Sequence, residues 1–160
     1  MSARLKIEIA YAQESLRAFR AEVDPLLLAH WQELAHFKDI PLKPRWDAYE
    51  RLSDSGQLLA FTVRDRGALV GYAAYLVTHS MHYGILQAQQ DVIYLDPEYR
   101  RGRIGLHLIR YSEGVLRQQG VELIYQHVKL AHPQLGRLLE HTGYTLMDQI
   151  WVKRLGEPHA

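Results

Sequence analysis

Tyr94-Leu95-Asp96-Pro97-Glu98-Tyr99-Arg100-Arg101-Gly102-Arg103-Ile104-Gly105-Leu106 breaks an apolar run with Asp-Pro, turns through a basic stretch punctuated by glycine, and opens an amphipathic segment. A strand from Ile85 to Leu95 therefore delivers the chain into a loop at the start of a helix. Unpaired backbone N–H groups and the positive end of the helix dipole meet there, and the arginines add full charges. Such a turn is an anion site, and a phosphate is its natural guest.

The elements around this turn read clearly in both directions. Upstream, Leu58 to Val63 reads as a strand, Asp65-Arg66-Gly67 as a tight turn and Ala68 to Thr78 as a second strand. With Ile85 to Leu95, beyond the His79 to Gly84 loop, they make an antiparallel meander. Leu5, Ile7 and Ile9 alternate with Lys6 and Glu8 as an opening strand, and a helix follows from about Ala12 to Glu22. Asp24-Pro25 caps a second helix whose Leu26, Leu27, His30, Trp31, Leu34 and Ala35 recur at helical spacing. A third, from about Pro44 to Ser53, carries Trp46, Tyr49 and Leu52. Downstream, Ile104, Leu106, Leu108, Ile109, Ser112, Val115 and Leu116 mark a helix face that Gly120 ends. Val121 to Val128 reads as a strand, His132-Pro133 opens a helix that Gly143 ends, and Tyr144 to Leu155 closes the chain as a strand. This order predicts an α/β (α+β) fold, a mixed central sheet of about six or seven strands with helices on both faces.

A chain of 160 residues that is 48% hydrophobic can bury one core, which places residues 1–160 in a single domain of ordinary size. The net charge of +1, from 19 basic and 18 acidic residues, gives no general attraction to nucleic acid or an anionic membrane. Any basic site is local. Cysteine is absent, which excludes disulfides, thiolate nucleophiles and cysteine metal sites. No window approaches a secretory signal or a membrane span, so a cytoplasmic location with no membrane partner is expected. Gly156 to Ala160 reads as a frayed tail.

Arg100-Arg101-Gly102-Arg103-Ile104-Gly105 resembles the diphosphate-binding signature Q/R-x-x-G-x-G/A of the GCN5-related N-acetyltransferases (GNAT). The first and last positions match, Arg103 stands where that family commonly has glycine, and Gly102 sits one place early. The resemblance covers most of the chain and is densest from Leu58 to Leu155. It implies a fourth strand splayed from the fifth, with acetyl-coenzyme A in the resulting V. The pantetheine arm would lie on Ile93, Tyr94 and Leu95, the phosphates on Arg100, Arg101, Gly102, Arg103, Ile104, Gly105 and Leu106, and the thioester end beside the helix that begins near His132. A tyrosine often stands four residues before the glycine that ends the last helix, where it protonates the leaving thiolate. Here that place is Leu139, which leaves Tyr144 or His132 as candidate acids. A homodimer is the family default.

Direct acetyl transfer to a primary amine needs a base, a donor for the developing oxyanion and a proton for the thiolate. Without cysteine it proceeds with no acyl-cysteine intermediate. A backbone N–H near Leu95 serves the oxyanion, and Glu33, His82 and Asp91 are the candidate bases, with Tyr83 as a polar positioning group. Each has a plain structural alternative: a solvated helix face for Glu33, a loop cap for His82, an ion pair for Asp91. His79, His82 and His127 lack the cysteines and supporting pattern of a zinc site, and no metal is expected. Nucleic acid would need basic stripes with exposed aromatics, whereas Arg17, Arg20, Arg110 and Arg117 are dispersed among acids. These features point to an N-acetyltransferase that uses acetyl-coenzyme A with a small-molecule or protein amine acceptor. The alternative is a degenerate coenzyme A-binding or protein-binding module without turnover.

Overall fold

Arg66 and Gly67 both take left-handed backbone angles, φ 49° and 86°, which is the type I′ turn that suits two twisted strands. They join β2 (Leu58–Asp65) to β3 (Ala68–His79) in the first hairpin of the computed structural model, which describes residues 7–159. β1 (Ile9–Glu14) pairs with β2 and β4 (Leu86–Leu95) pairs with β3, all antiparallel, while β5 (Leu123–Tyr125) lies parallel to β4. The order is β1-β2-β3-β4-β5. Leu5 and Lys6 of the expected opening strand lie outside the described residues.

Helices cover both faces. Leu16, Phe19 and Val23 of α1 (Leu16–Leu34) are buried against Ala60, Leu69, Tyr72 and Tyr94, with Trp46 and Tyr49 of α2 (Trp46–Asp54) beside them. On the opposite face, Leu108 and Leu116 of α3 (Ile104–Gln118) meet Phe61, Val63, Tyr75 and Ala88. Each fully buried side chain of this size stabilises by about 1.5–3 kcal/mol relative to exposure. α4 (Gln134–His141) follows β5. As expected, Gly120 and Gly143 follow α3 and α4 with positive φ, 87° and 95°.

Four expectations about the elements are corrected. The two helices expected on either side of Asp24-Pro25 are one 19-residue helix with Pro25 inside it. Pro25 removes one backbone bond, but Leu16, Phe19, Val23, Leu26 and Leu27 form one stripe on the same core across it. Among the described residues the sheet has five strands rather than six or seven. Residues 144–155 form no strand, because Leu146 and Met147, then Ile150, Trp151 and Val152, come in clusters rather than alternating. The strand expected over Val121 to Val128 is confined to Leu123–Tyr125. Of the expected frayed tail, residues 156–159 are irregular but tied down, with the His159 N–H donating to Asp39 at 3.1 Å, and Ala160 lies outside the described residues.

β4 and β5 share only three pairs, Gln87↔Leu123, Ala88↔Ile124 and Gln89↔Tyr125, while β4 runs on to Leu95. Partners shift from Tyr75↔Gln90 to Ala74↔Val92, so Asp91 is the extra residue of a bulge. The Asp96 N–H donates to Val70 at 2.9 Å, which turns Asp96 and Tyr94 toward β3. Ile93 and Leu95 consequently aim their N–H and C=O groups into the gap beyond β5.

Gly71 backs this end of β4. A Cβ there would meet Leu95 Cδ1 at 2.8 Å and the Tyr94 carbonyl oxygen at 2.9 Å, and a backbone atom cannot yield cheaply. Urea denaturation of Gly71→Ala is expected to show a loss of about 1–3 kcal/mol. Gly114→Ala, in the interior of α3 with nothing within 4 Å of the added carbon, is expected to gain about 0.5–1 kcal/mol.

Candidate functional site

Gly102 takes φ 64°, the left-handed angle that lets the loop after Leu95 reverse into α3. Asp96 holds the preceding single turn, accepting from the Glu98 N–H at 2.9 Å. Arg103 caps α3 at φ −112° and ψ 10°, a bridge conformation rather than the helical one of a first turn, and its carbonyl accepts from the His107 N–H at 2.9 Å. No acidic residue lies in the first turn and no side chain caps it. The N–H groups of Ile104, Gly105 and Leu106 therefore remain available at the positive end of the helix.

The three arginines differ in use. Arg100, expected among the phosphate ligands, is engaged elsewhere: its Nε donates to the Leu95 carbonyl at 2.7 Å, and its two terminal nitrogens donate to Glu33 at 2.6 and 2.7 Å. It also lies 5.2 Å from the Tyr94 ring centroid. Arg101 and Arg103 form no ion pair among the described residues, and they are the two whose charge is free for an anion.

Glu33 and His30 sit three apart on one face of α1 above the open end of β4. The Arg100 guanidinium holds the Glu33 carboxyl below the usual carboxylate range, and His132 and His30 add smaller effects of the same sign. His132 thus lies within electrostatic reach of Glu33. His30 Nδ1 is 2.9 Å from the Tyr72 hydroxyl, and its ring stacks on Tyr94 with centroids 4.9 Å apart. Burial lowers its pKa to about 4, so the imidazole is neutral at pH 7. The signal of its place was the spacing to Glu33.

The remaining candidates are scattered. Asp91 accepts from the Tyr49 hydroxyl at 2.7 Å, while burial and Asp91 together raise the phenol's pKa. It stands four positions before Leu95, about 13 Å along the strand. His82 and Tyr83 lie in the exposed loop before β4, a strand length of about 30 Å from Leu95, so the structure does not bring His82 to the site. Tyr144 accepts from Gln126 Nε2 at 3.4 Å. Burial raises its pKa, and Glu113 beside it also favours the protonated phenol. Leu139 is buried, so a hydroxyl at that position would enter the core. Of Ile93, Tyr94 and Leu95, Tyr94 does not offer its backbone, which belongs to the ladder with β3. Two surface hollows lie elsewhere, one of about 430 Å³ on α2 and one of about 350 Å³ along the outer edge of β5.

A splayed parallel pair feeding an uncapped helix is now matched by comparison with known proteins. The model of the acetyltransferase (GNAT) family matches residues 25–144. The chain belongs to this family. Among solved structures, the GNAT chain is similar to a ribosomal-protein-alanine N-acetyltransferase from Brucella melitensis biovar Abortus 2308, at TM-score 0.73 and 21% identity, over 93% of this chain and 100% of the other. It is similar also to an aminoglycoside acetyltransferase from an uncultured soil metagenomic sample, at TM-score 0.73 and 14% identity, over 94% and 96% of the two chains. The structure of AAC(6')-Iy with a bisubstrate analog matches at TM-score 0.66 and 15% identity, over 92% and 97%. At these identities the likeness is one of fold. No curated protein matches the chain.

Between the ordinary histidine pKa of 6.5 and the value of about 4 in the folded GNAT chain, the unfolded chain binds more protons. Stability is therefore expected to fall as pH drops through this window, by up to about 3 kcal/mol. Urea unfolding of the native chain and of His30→Gln at pH 7, 5.5 and 4.5 measures this. The variant should lack that part of the slope, and a flat native curve would contradict burial of the imidazole.

Proposed function

We propose that the chain is a cytoplasmic, single-domain N-acetyltransferase that moves acetyl from acetyl-coenzyme A directly to a primary amine. What carries this reading is the open side of β4, with the N–H groups of Ile93 and Leu95 aimed into the gap, running into an uncapped helix start beside two unpaired arginines. These donors fit an elongated amide-bearing arm that ends in a diphosphate. Ile93 and Leu95 would hold the arm, and Gly102 to Leu106, Arg101 and Arg103 the phosphates.

The thioester supplies an activated acetyl group with a good leaving group. A carbon–nitrogen bond forms to the amine and the carbon–sulfur bond breaks, so one proton leaves nitrogen and one reaches sulfur. The Leu95 N–H faces the gap where negative charge would develop on the thioester oxygen. Glu33 is the proposed base, ionised at neutral pH because Arg100 stabilises its charge. His132, within electrostatic reach of it, is the proposed acid, in place of the tyrosine that Leu139 replaces. Tyr144, held among Gln126 and Glu113, is the second candidate acid, and Asp91 with Tyr49 the second carboxylate. The family supports a small-molecule or protein amine as acceptor. A homodimer is also proposed, on the exposure of the apolar side chains of residues 144–155.

Calorimetric titration with acetyl-coenzyme A, with thiol release over an amine panel, tests the function. Arg101→Ala/Arg103→Ala is expected to weaken binding about 10- to 100-fold, as the loss of one or two charge-assisted bonds would. Glu33→Gln should bind the co-substrate normally and lose about 10²-fold in turnover, within the range for a general base. Tight binding with no thiol release from any amine would assign the chain to a coenzyme A-binding module instead.

A further inference from the structure

Lys38 and Asp39 are the two central residues of the turn that follows α1, closed by the Ile40 N–H donating to the Phe37 carbonyl at 3.3 Å. Their side chains have different partners. The Lys38 ammonium donates to the Trp31 carbonyl at 3.1 Å and to the Gln32 carbonyl, and it lies 5.4 Å from the Trp31 ring centroid. Trp31 and Gln32 belong to the last turn of α1, where carbonyls run out of helical donors and the dipole ends negative. A lysine bonded there caps the helix. Glu33, the proposed base, is the next residue.

Asp39 is bound to the other end of the chain, 115 positions away. Both of its carboxylate oxygens accept from Arg154 at 2.7 Å, and Oδ2 accepts also from the His159 N–H at 3.1 Å. The Arg154 guanidinium lies 4.8 Å from the Phe37 ring centroid. An exposed ion pair alone holds little, but two parallel bonds, a backbone bond and a ring contact fix one geometry. Glu33 therefore stands between two clamps. Arg100 joins its carboxylate to the Leu95 carbonyl, and Lys38, Asp39 and Arg154 join its helical turn to the segment after α4.

On the acetyltransferase reading, we infer that the C-terminal segment positions the base: Arg154 and Asp39 fix the turn, Lys38 holds the end of α1, and Glu33 is thereby kept on Arg100. Lys38, Asp39 and Arg154 are positioning residues, acting on the reaction only through Glu33. Misplacing a reacting group by about 1 Å can cost about 10²-fold in rate, so a strut of this kind governs turnover without touching substrate.

Hydrogen exchange read by mass spectrometry tests the strut without an acceptor. Arg154→Gln and Lys38→Met are each expected to speed exchange of the amides of residues 30–35 by about 5- to 10-fold, with β2 and β3 unchanged, which reports an intact core. Thiol release should then show kcat lower by about 10-fold in both variants, while calorimetry shows an unchanged affinity for acetyl-coenzyme A. Lys38→Arg and the exchanged pair Asp39→Arg/Arg154→Asp should keep most of the native rate. Unchanged exchange at residues 30–35, an unchanged kcat, or rates in Lys38→Arg and the exchanged pair as low as in the disruptive variants would overturn the inference alone. Failure of the native chain to bind acetyl-coenzyme A, or to release thiol with any amine, would overturn the acetyltransferase reading and this inference with it.

Discussion

The parallel ladder between β4 and β5 stops after three pairs, and the rest of the site depends on that stop. Gln90 helps to end it: its side-chain oxygen accepts from the His127 N–H at 3.0 Å, so a side chain stands where a ladder carbonyl would otherwise be. A side chain is longer than a backbone carbonyl, and the strands diverge beyond it. Had pairing continued, the N–H groups of Ile93 and Leu95 would be consumed within the sheet. The bulge at Asp91 adds local twist to the same stretch, and Gly71 lets β3 approach its far side closely. Splay, bulge and glycine thus leave backbone donors exposed on an otherwise buried strand. A donor set of this kind places no demand on side-chain identity.

Arg100 divides the site into two halves. By bonding both Leu95 and Glu33 it ties the end of β4 to α1, and it spends its charge on Glu33. On the proposed function, a bound anion is left to Arg101, Arg103 and the N–H groups of α3. Moving Arg100 away would strip Glu33 of its counter-charge and untie α1 from the end of β4. The pair is half-exposed, so its value lies in geometry more than in stability.

Much of this was legible in the residues. Asp65-Arg66-Gly67 specified a hairpin because a type I′ turn needs two positive φ angles, and Gly120 and Gly143 marked helix ends for the same conformational reason. The turn at Gly102 was legible as a loop into a helix, because local chain geometry produces it. Long-range partnership was not legible: nothing near Arg100 in sequence announces Glu33, 67 positions away, and the three arginines look equivalent until the fold places them. Likewise Pro25 has the local signature of a helix start, yet the continuous stripe from Leu16 to Leu27 outweighs one lost backbone bond. His82 was grouped with the bases because the order of elements fixes which strand follows a loop, but not at which end of that strand the sheet opens.

The segment after α4 shows the same limit from the other side. It begins firmly, with the Tyr144 N–H donating to Leu139 at 3.0 Å, and ends firmly, with Arg154 paired to Asp39 and lying 4.8 Å from the Phe37 ring centroid. Between these anchors Leu146, Met147, Ile150, Trp151 and Val152 are 64% to 88% exposed, although burial of each would stabilise by about 1.5–3 kcal/mol. Beside it the outer edge of β5 is unpaired, with Leu123 also exposed. An apolar segment without a strand and an edge without a partner are complementary features, and such an edge invites association. In the proposed homodimer, two copies related by a two-fold axis would satisfy both features at once, each chain giving what the other lacks. That reciprocity closes the assembly at two, whereas a one-sided contact would propagate.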